Sequence, residues 1–183
     1  MSKIGIFMAD GCEEIEALTV VDICRRAGVE VETISIYDRA EVTSSHKVTF
    51  KTDTVKAKAD YNSLDGIVLP GGLPGTNYLR EDATVQETIK DFASEGKLVA
   101  AICAAPTVLG GAGLLNGKKA ICYPGLEDKL LGATVVKELA VTDGNIITGR
   151  GMGAAIEFSS QIVAYFLGAD KAKEVKDSVV YPL

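Results

Sequence analysis

A doubly wound α/β sandwich around a mostly parallel sheet is the fold class this sequence predicts, and three observations predict it. Short β-branched runs alternate with helical patterns, each of those runs is mostly apolar, and a glycine closes each long helical pattern as a C-cap. At roughly 100–200 residues per domain, the 183 residues make one domain spanning 1–183.

Lys3 to Met8 is the first expected strand, and Glu14 to Ala27 the first helix, stopped by Gly28. Glu30 to Ser35 is the second strand. Val42 to Lys58 alternates polar and apolar residues through Val48, Phe50, Thr52 and Thr54, which predicts a small antiparallel excursion off the main sheet. Gly66 to Leu69 returns to it. In Ala83 to Ser94 the residues Val85, Ile89, Phe92 and Ala93 recur at helical spacing and form one apolar stripe, with Gly96 as the stop. Leu98 to Ile102, Ala120 to Tyr123 and Asn145 to Thr148 complete the strands, and Ala154 to Leu167, ended by Gly168, completes the long helices. Asp170 to Leu183 predicts one or two charged helical turns and an apolar tail that docks. In such sheets, ligands bind at the carboxyl ends of the strands.

Composition removes several function classes. Lys and Arg number 19 against 25 Asp and Glu, a net charge of −6, so the clustered basic surface that direct nucleic-acid binding needs is not expected. With 47% hydrophobic and 24% charged residues the chain is neither disordered nor membrane-spanning, and no apolar run reaches the roughly 20 residues of a span. A single His excludes His-rich zinc sites, and no metal is expected. Cys12, Cys24, Cys103 and Cys122 lie too far apart for a zinc knuckle or a redox pair, and no export signal precedes them. They read as separate reduced thiols in a cytoplasmic protein.

One of the four is placed for chemistry. The run Leu98 to Ile102 delivers Cys103 at its carboxyl end, and Pro106 suits the first turn of a helix just beyond. Ala101 and Ala105, two residues to either side, match the small-x-nucleophile-x-small pattern of a nucleophile elbow. A helix N-terminus at that point would lower the thiol pKa. Glu16 is singled out by helical geometry. At 100° per residue, the apolar arc of the first helix holds Ala17, Val20, Val21, Ile23, Cys24 and Ala27, and Glu16 falls inside it. A carboxyl turned inward is desolvated and its pKa rises, which prepares it for acid–base work near neutral pH.

The Pro70-Gly71-Gly72-Leu73-Pro74-Gly75 segment follows a strand on the same rim, and its glycines let backbone N–H groups approach an oxyanion, or simply make a turn. Gly149-Arg150-Gly151-Met152-Gly153 lacks the spaced third glycine of a dinucleotide loop and reads as a tight turn, with Arg150 a structural or interface charge. His46, in the polar excursion, reads as a surface residue. Ile15 and Leu18 widen the apolar face of the Glu14 to Ala27 helix beyond one packing surface, which hints at a subunit contact.

Taken together, Asp10 to Glu16, Leu69-Pro70-Gly71-Gly72 and Ala101-Ile102-Cys103-Ala104-Ala105-Pro106 resemble the ThiJ/PfpI superfamily, in the branch of the human parkinsonism-associated deglycase and bacterial YajL. The resemblance runs through Arg150-Gly151-x-Gly153 and Glu157-Phe158. It implies a flavodoxin-like three-layer sandwich, class I glutamine-amidotransferase-like, and a homodimer. It places the reactive thiol on Cys103, its carboxyl partner on Glu16, and oxyanion donors on Gly72 and Ala104, to which the glycine nest adds Gly71. The implied activity is cofactor-free conversion of 2-oxoaldehydes such as methylglyoxal or glyoxal, or their early glycation adducts on amines, to 2-hydroxy acids. The rival role is an oxidative-stress sensor or chaperone-like protein that oxidises Cys103 without turnover. Ala104 stands where the protease branch has a His, which argues against peptidase activity. Tyr123 stands where the deglycase branch often has a His, and His46 about where it has an Arg, so both are candidates for the substrate pocket.

Overall fold

The computed structural model describes residues 1–182. Strand β1 (Lys3–Met8) leads into α1 (Glu14–Ala27) and β2 (Glu30–Ser35). The excursion is a hairpin of β3 (Glu41–Thr43) and β4 (Thr49–Lys51), and it ends earlier than the alternation predicts, because β5 (Thr54–Val55) rejoins the main sheet beside β2. Then follow β6 (Gly66–Leu69), α2 (Gly75–Glu81), α3 (Ala83–Ser94), β7 (Leu98–Ile102) and α4 (Pro106–Gly111). The C-terminal third holds β8 (Lys119–Ala120), β9 (Thr134–Val135), β10 (Ala140–Asp143), β11 (Ile146–Gly149), α5 (Ala155–Leu167) and α6 (Ala169–Ser178).

Seven strands form the central sheet in the order β10-β11-β7-β6-β1-β2-β5, parallel except for β10. Alternation along the strands divides the core in two. Ile4, Ile6 and Met8 of β1, with Ala100 and Ile102 of β7, pack against α1, α5 and α6, while Phe7, Val99 and Ala101 face α3 and α4. The chain winds one way from β1 to β2 and the other way from β6 to β7, so the carboxyl ends of β1 and β6 flank the switch point where doubly wound sheets open a crevice.

The structure corrects the sequence reading in four further places. The expected strand Ala120 to Tyr123 pairs only at Lys119–Ala120, with β9, in a separate sheet. The antiparallel β10, which the sequence reading lacked, occupies the free edge of β11; Ile121 N–H therefore donates to the Thr148 hydroxyl at 3.0 Å in place of a ladder bond. The strand expected at Asn145 starts at Ile146 because Asn145 serves the turn, its Nδ2 donating to Lys97 O at 2.9 Å and Ala93 O at 3.2 Å. Finally, the charged C-terminal segment is a ten-residue helix, and the tail docks only in part: Val179 packs against the core and Tyr181 lies under Lys176 Nζ, while Val180 is 87% exposed. Leu183 lies outside the described residues.

Candidate active site

Three adjacent strands deliver the site. Cys103 follows β7, Gly71 and Gly72 follow β6, and Glu16 sits in the first turn of α1, which follows β1. Glu13 N–H donates to Gly71 O at 2.9 Å and so ties the start of α1 to the β6 loop.

Cys103 has φ +65°, the left-handed conformation that a non-glycine residue adopts at a cost of roughly 1–3 kcal/mol. The elbow read from Ala101 and Ala105 is therefore present as backbone geometry, with both alanines fully buried. The thiol is partly exposed, and the nearby backbone N–H groups of Ala104 and Gly72 favour its ionised form. Cys12, Cys24 and Cys122 are buried.

Glu16 is 1% exposed. Its Oε2 accepts the Gly71 N–H at 2.9 Å, and its Oε1 is buried with no hydrogen-bond partner among the described residues. Burial outweighs the hydrogen bonds from Cys103 and Gly71 and raises the carboxyl pKa to about 7. This is the direction helical geometry predicts. The thiol moves the opposite way from the helix-dipole expectation: burial first, then the Glu16 charge, push it up to about 12. The helix beyond it, α4, has only six residues and a correspondingly small dipole, while the carboxylate is an immediate neighbour. The Glu16 charge opposes ionisation of the thiol, whereas the thiol, as a hydrogen-bond donor, favours the carboxylate.

The two glycines divide the work that the sequence reading assigned to both. Gly71 is corrected from an oxyanion donor to the donor that anchors Glu16. A Cβ at Gly71 would stand 2.6 Å from Cys103 Cβ, 2.6 Å from Glu16 Oε2 and 2.9 Å from Ile102 O. Gly71→Ala should therefore destabilise the protein by about 1–3 kcal/mol in chemical denaturation, and shifting the pair by an ångström should lower turnover by about 100-fold. Unchanged stability would show that the loop yields freely. Gly72 has φ +88°, and a Cβ there would sit 2.3 Å from Glu13 N, so only glycine lets its N–H reach the sulfur.

Tyr123 is brought to the site: its N–H donates to Cys103 O at 2.8 Å, and its ring is exposed. His46 is not. Its Nδ1 lies 3.2 Å from Glu14 Oε1 and 3.1 Å from Ser45 Oγ on the surface, with no contact to the thiol among the described residues. Glu13, Glu14 and His46 offer ligand atoms within 4.8 Å of one another, the only such group among the described residues. Sequence reasoning missed that Arg150 and its neighbours lie beside the Cys103 turn. The Cys103 N–H donates to Gly149 O at 2.9 Å, which places the glycine-rich turn beside the nucleophile. The pairing of β11 with β7 fixes that proximity, and no residue pattern displays it.

A cysteine on a strained strand-to-helix turn beside a buried carboxyl, at the carboxyl ends of the strands, defines a doubly wound α/β protein with a cysteine elbow. The chain belongs to the DJ-1/PfpI family, whose model matches residues 2–165. It is 38% identical over 178 residues to protein dj-1beta of Drosophila melanogaster, with 96% of this chain and 95% of that protein covered. Protein DJ-1 homolog B of Arabidopsis thaliana is 39% identical over 180 residues; there 97% of this chain spans 41% of the relative's length. Among solved structures, oxidised DJ-1 of Toxoplasma gondii superposes with a TM-score of 0.96 at 33% identity, each chain covered completely. An isonitrile hydratase of Pseudomonas putida, 37% identical over 146 residues that make up 79% of this chain and 63% of that protein, shows that the chain's relatives include an enzyme. No helix among the described residues is long and apolar enough to cross a membrane.

Proposed function

We propose that the protein converts 2-oxoaldehydes such as methylglyoxal, or their early adducts on amines, to 2-hydroxy acids without a cofactor. One observation carries this reading: a partly exposed thiol on a strained turn stands beside a buried carboxyl poised near neutral pH, with two backbone donors converging on the sulfur. Glu16 takes the thiol proton as Cys103 sulfur bonds to the aldehyde carbon, and the carbonyl oxygen becomes the hydroxyl of a hemithioacetal. The Gly72 and Ala104 N–H groups stabilise the developing oxyanion. The carboxylate then moves the C1 proton to C2 through an enediol, so C1 is oxidised and C2 reduced, and a thioester of the 2-hydroxy acid results. Water cleaves the thioester and restores the thiol. The buried, unpartnered Glu16 Oε1 is the atom available to carry these protons. Lactate formation from methylglyoxal by the purified protein tests the reading, and a rate no higher than in buffer would overturn it.

The same two N–H groups and the Glu16 carboxyl also suit a sulfinate on Cys103, and the Toxoplasma relative was solved in an oxidised state. Uptake of two oxygens per chain in mild peroxide, together with negligible turnover, would favour this sensor role. We place the protein in the cytoplasm, as its four unpaired cysteines support. We also take it to be a homodimer through α1, where Ile15 and Leu18 remain exposed at 49% and 39%.

A further inference from the structure

Between the two segments that hydrogen-bond to the Cys103 backbone lies a cleft of about 380 Å³, walled by Tyr123, Pro124, Leu139, Arg150 and Met152. Its walls hang from the peptide groups of the nucleophile itself. Cys103 N–H donates to Gly149 O, the residue before Arg150, and Cys103 O accepts from Tyr123 N–H. Arg150 N–H in turn donates to Leu139 O at 2.9 Å and so holds the third wall. The Tyr123 ring lies over the Gly151 backbone, where a Cβ would meet ring carbon Cδ2 at 3.5 Å.

Two features of this cleft have no structural use. Tyr123, Leu139 and Met152 are each about half exposed, so three large apolar side chains are kept in water around this one cleft. Arg150 is the only arginine of the five whose side chain makes no hydrogen bond or ion pair among the described residues. Arg25, Arg26 and Arg39 pair with Asp53, Asp22 and Asp10, and Arg80 bonds to Asn77 and Thr107. In a chain of net charge −6, a guanidinium without a partner at the mouth of an apolar cleft offers an anion both a charge and a fork of donors.

We propose that this cleft holds the non-reacting end of the substrate, and that this end is an aromatic group carrying a carboxylate. The ring packs against Tyr123 and Met152, the carboxylate pairs with Arg150, and the carbonyl is thereby presented to Cys103. The proposal rests on the 2-oxoaldehyde reading, but the corresponding product acids test it without turnover. Calorimetric titration of the wild-type protein with lactate, mandelate and 4-carboxymandelate should give affinities rising in that order, by about tenfold or more from first to last. Arg150→Met should erase the advantage of 4-carboxymandelate over mandelate, and Arg150→Lys should restore part of it. Tyr123→Ala should erase the advantage of mandelate over lactate. Both side chains lie at the surface, so their loss leaves the core intact. Equal affinity for the three acids, or a preference that survives Arg150→Met, would overturn the cleft assignment. Absence of lactate formation from methylglyoxal would instead overturn the catalytic reading.

Discussion

Cys103→Ser is expected to lower lactate formation from methylglyoxal by at least about 10³-fold while leaving the unfolding temperature nearly unchanged. Serine has almost the volume of cysteine and retains the N–H contacts around position 103. Its hydroxyl is a far weaker acid and a poorer nucleophile than the thiol, so the covalent step stops there. Steady-state rates on protein checked by circular dichroism and thermal melting provide the measurement. A variant within tenfold of wild type would show that the sulfur forms no bond to substrate.

Glu16→Gln is expected to give a less active and, above neutral pH, more stable protein. Glutamine can keep an oxygen acceptor for the Gly71 N–H but can neither take the thiol proton nor return one, so turnover should fall by about 10²–10⁴-fold. The stability effect follows from the raised carboxyl pKa. Between the ordinary value of 4.5 and about 7, the unfolded chain has already released this proton while the folded chain still holds it. Stability therefore falls as pH rises through that window, by roughly 3 kcal/mol in total, and stays low above it. Glutamine carries no such penalty. Urea titrations at several pH values should show the advantage of Glu16→Gln over wild type growing from about pH 4.5 and levelling above 7. A difference independent of pH would show that Glu16 is not desolvated as its burial implies.

The parts of the site that one element determines were legible in the sequence, and those that depend on two elements meeting were not. Cys103 is visible because the apolar run Leu98–Ile102 ends on it, and Glu16 because a single helix turns it among Ala17, Val20 and Cys24. Gly71 and Gly72 look identical in sequence. Their different duties come from α1 crossing over the β6 loop, which gives one N–H to a carboxyl and the other to a sulfur. The thiol pKa was misjudged for the same reason: the helix that follows was visible, but its shortness and the carboxylate beside it belong to the assembled fold. Five of the seven main-sheet strands, β1, β2, β6, β7 and β11, are legible because parallel strands buried on both faces show as apolar runs, whereas the two-residue β5 is hidden in the polar alternation of the excursion. The four-residue β10 was missed, and with it the edge position that prevents Ala120 to Tyr123 from extending the sheet.

The left-handed backbone at Cys103 separates durability from usefulness. A residue with φ +65° is one that glycine or asparagine would occupy with less torsional strain than cysteine. A laboratory lineage propagated only for resistance to heat would be drawn toward those two amino acids at position 103 and would lose its thiol as it gained robustness. On the activity proposed above, cysteine at this position trades endurance for reactivity.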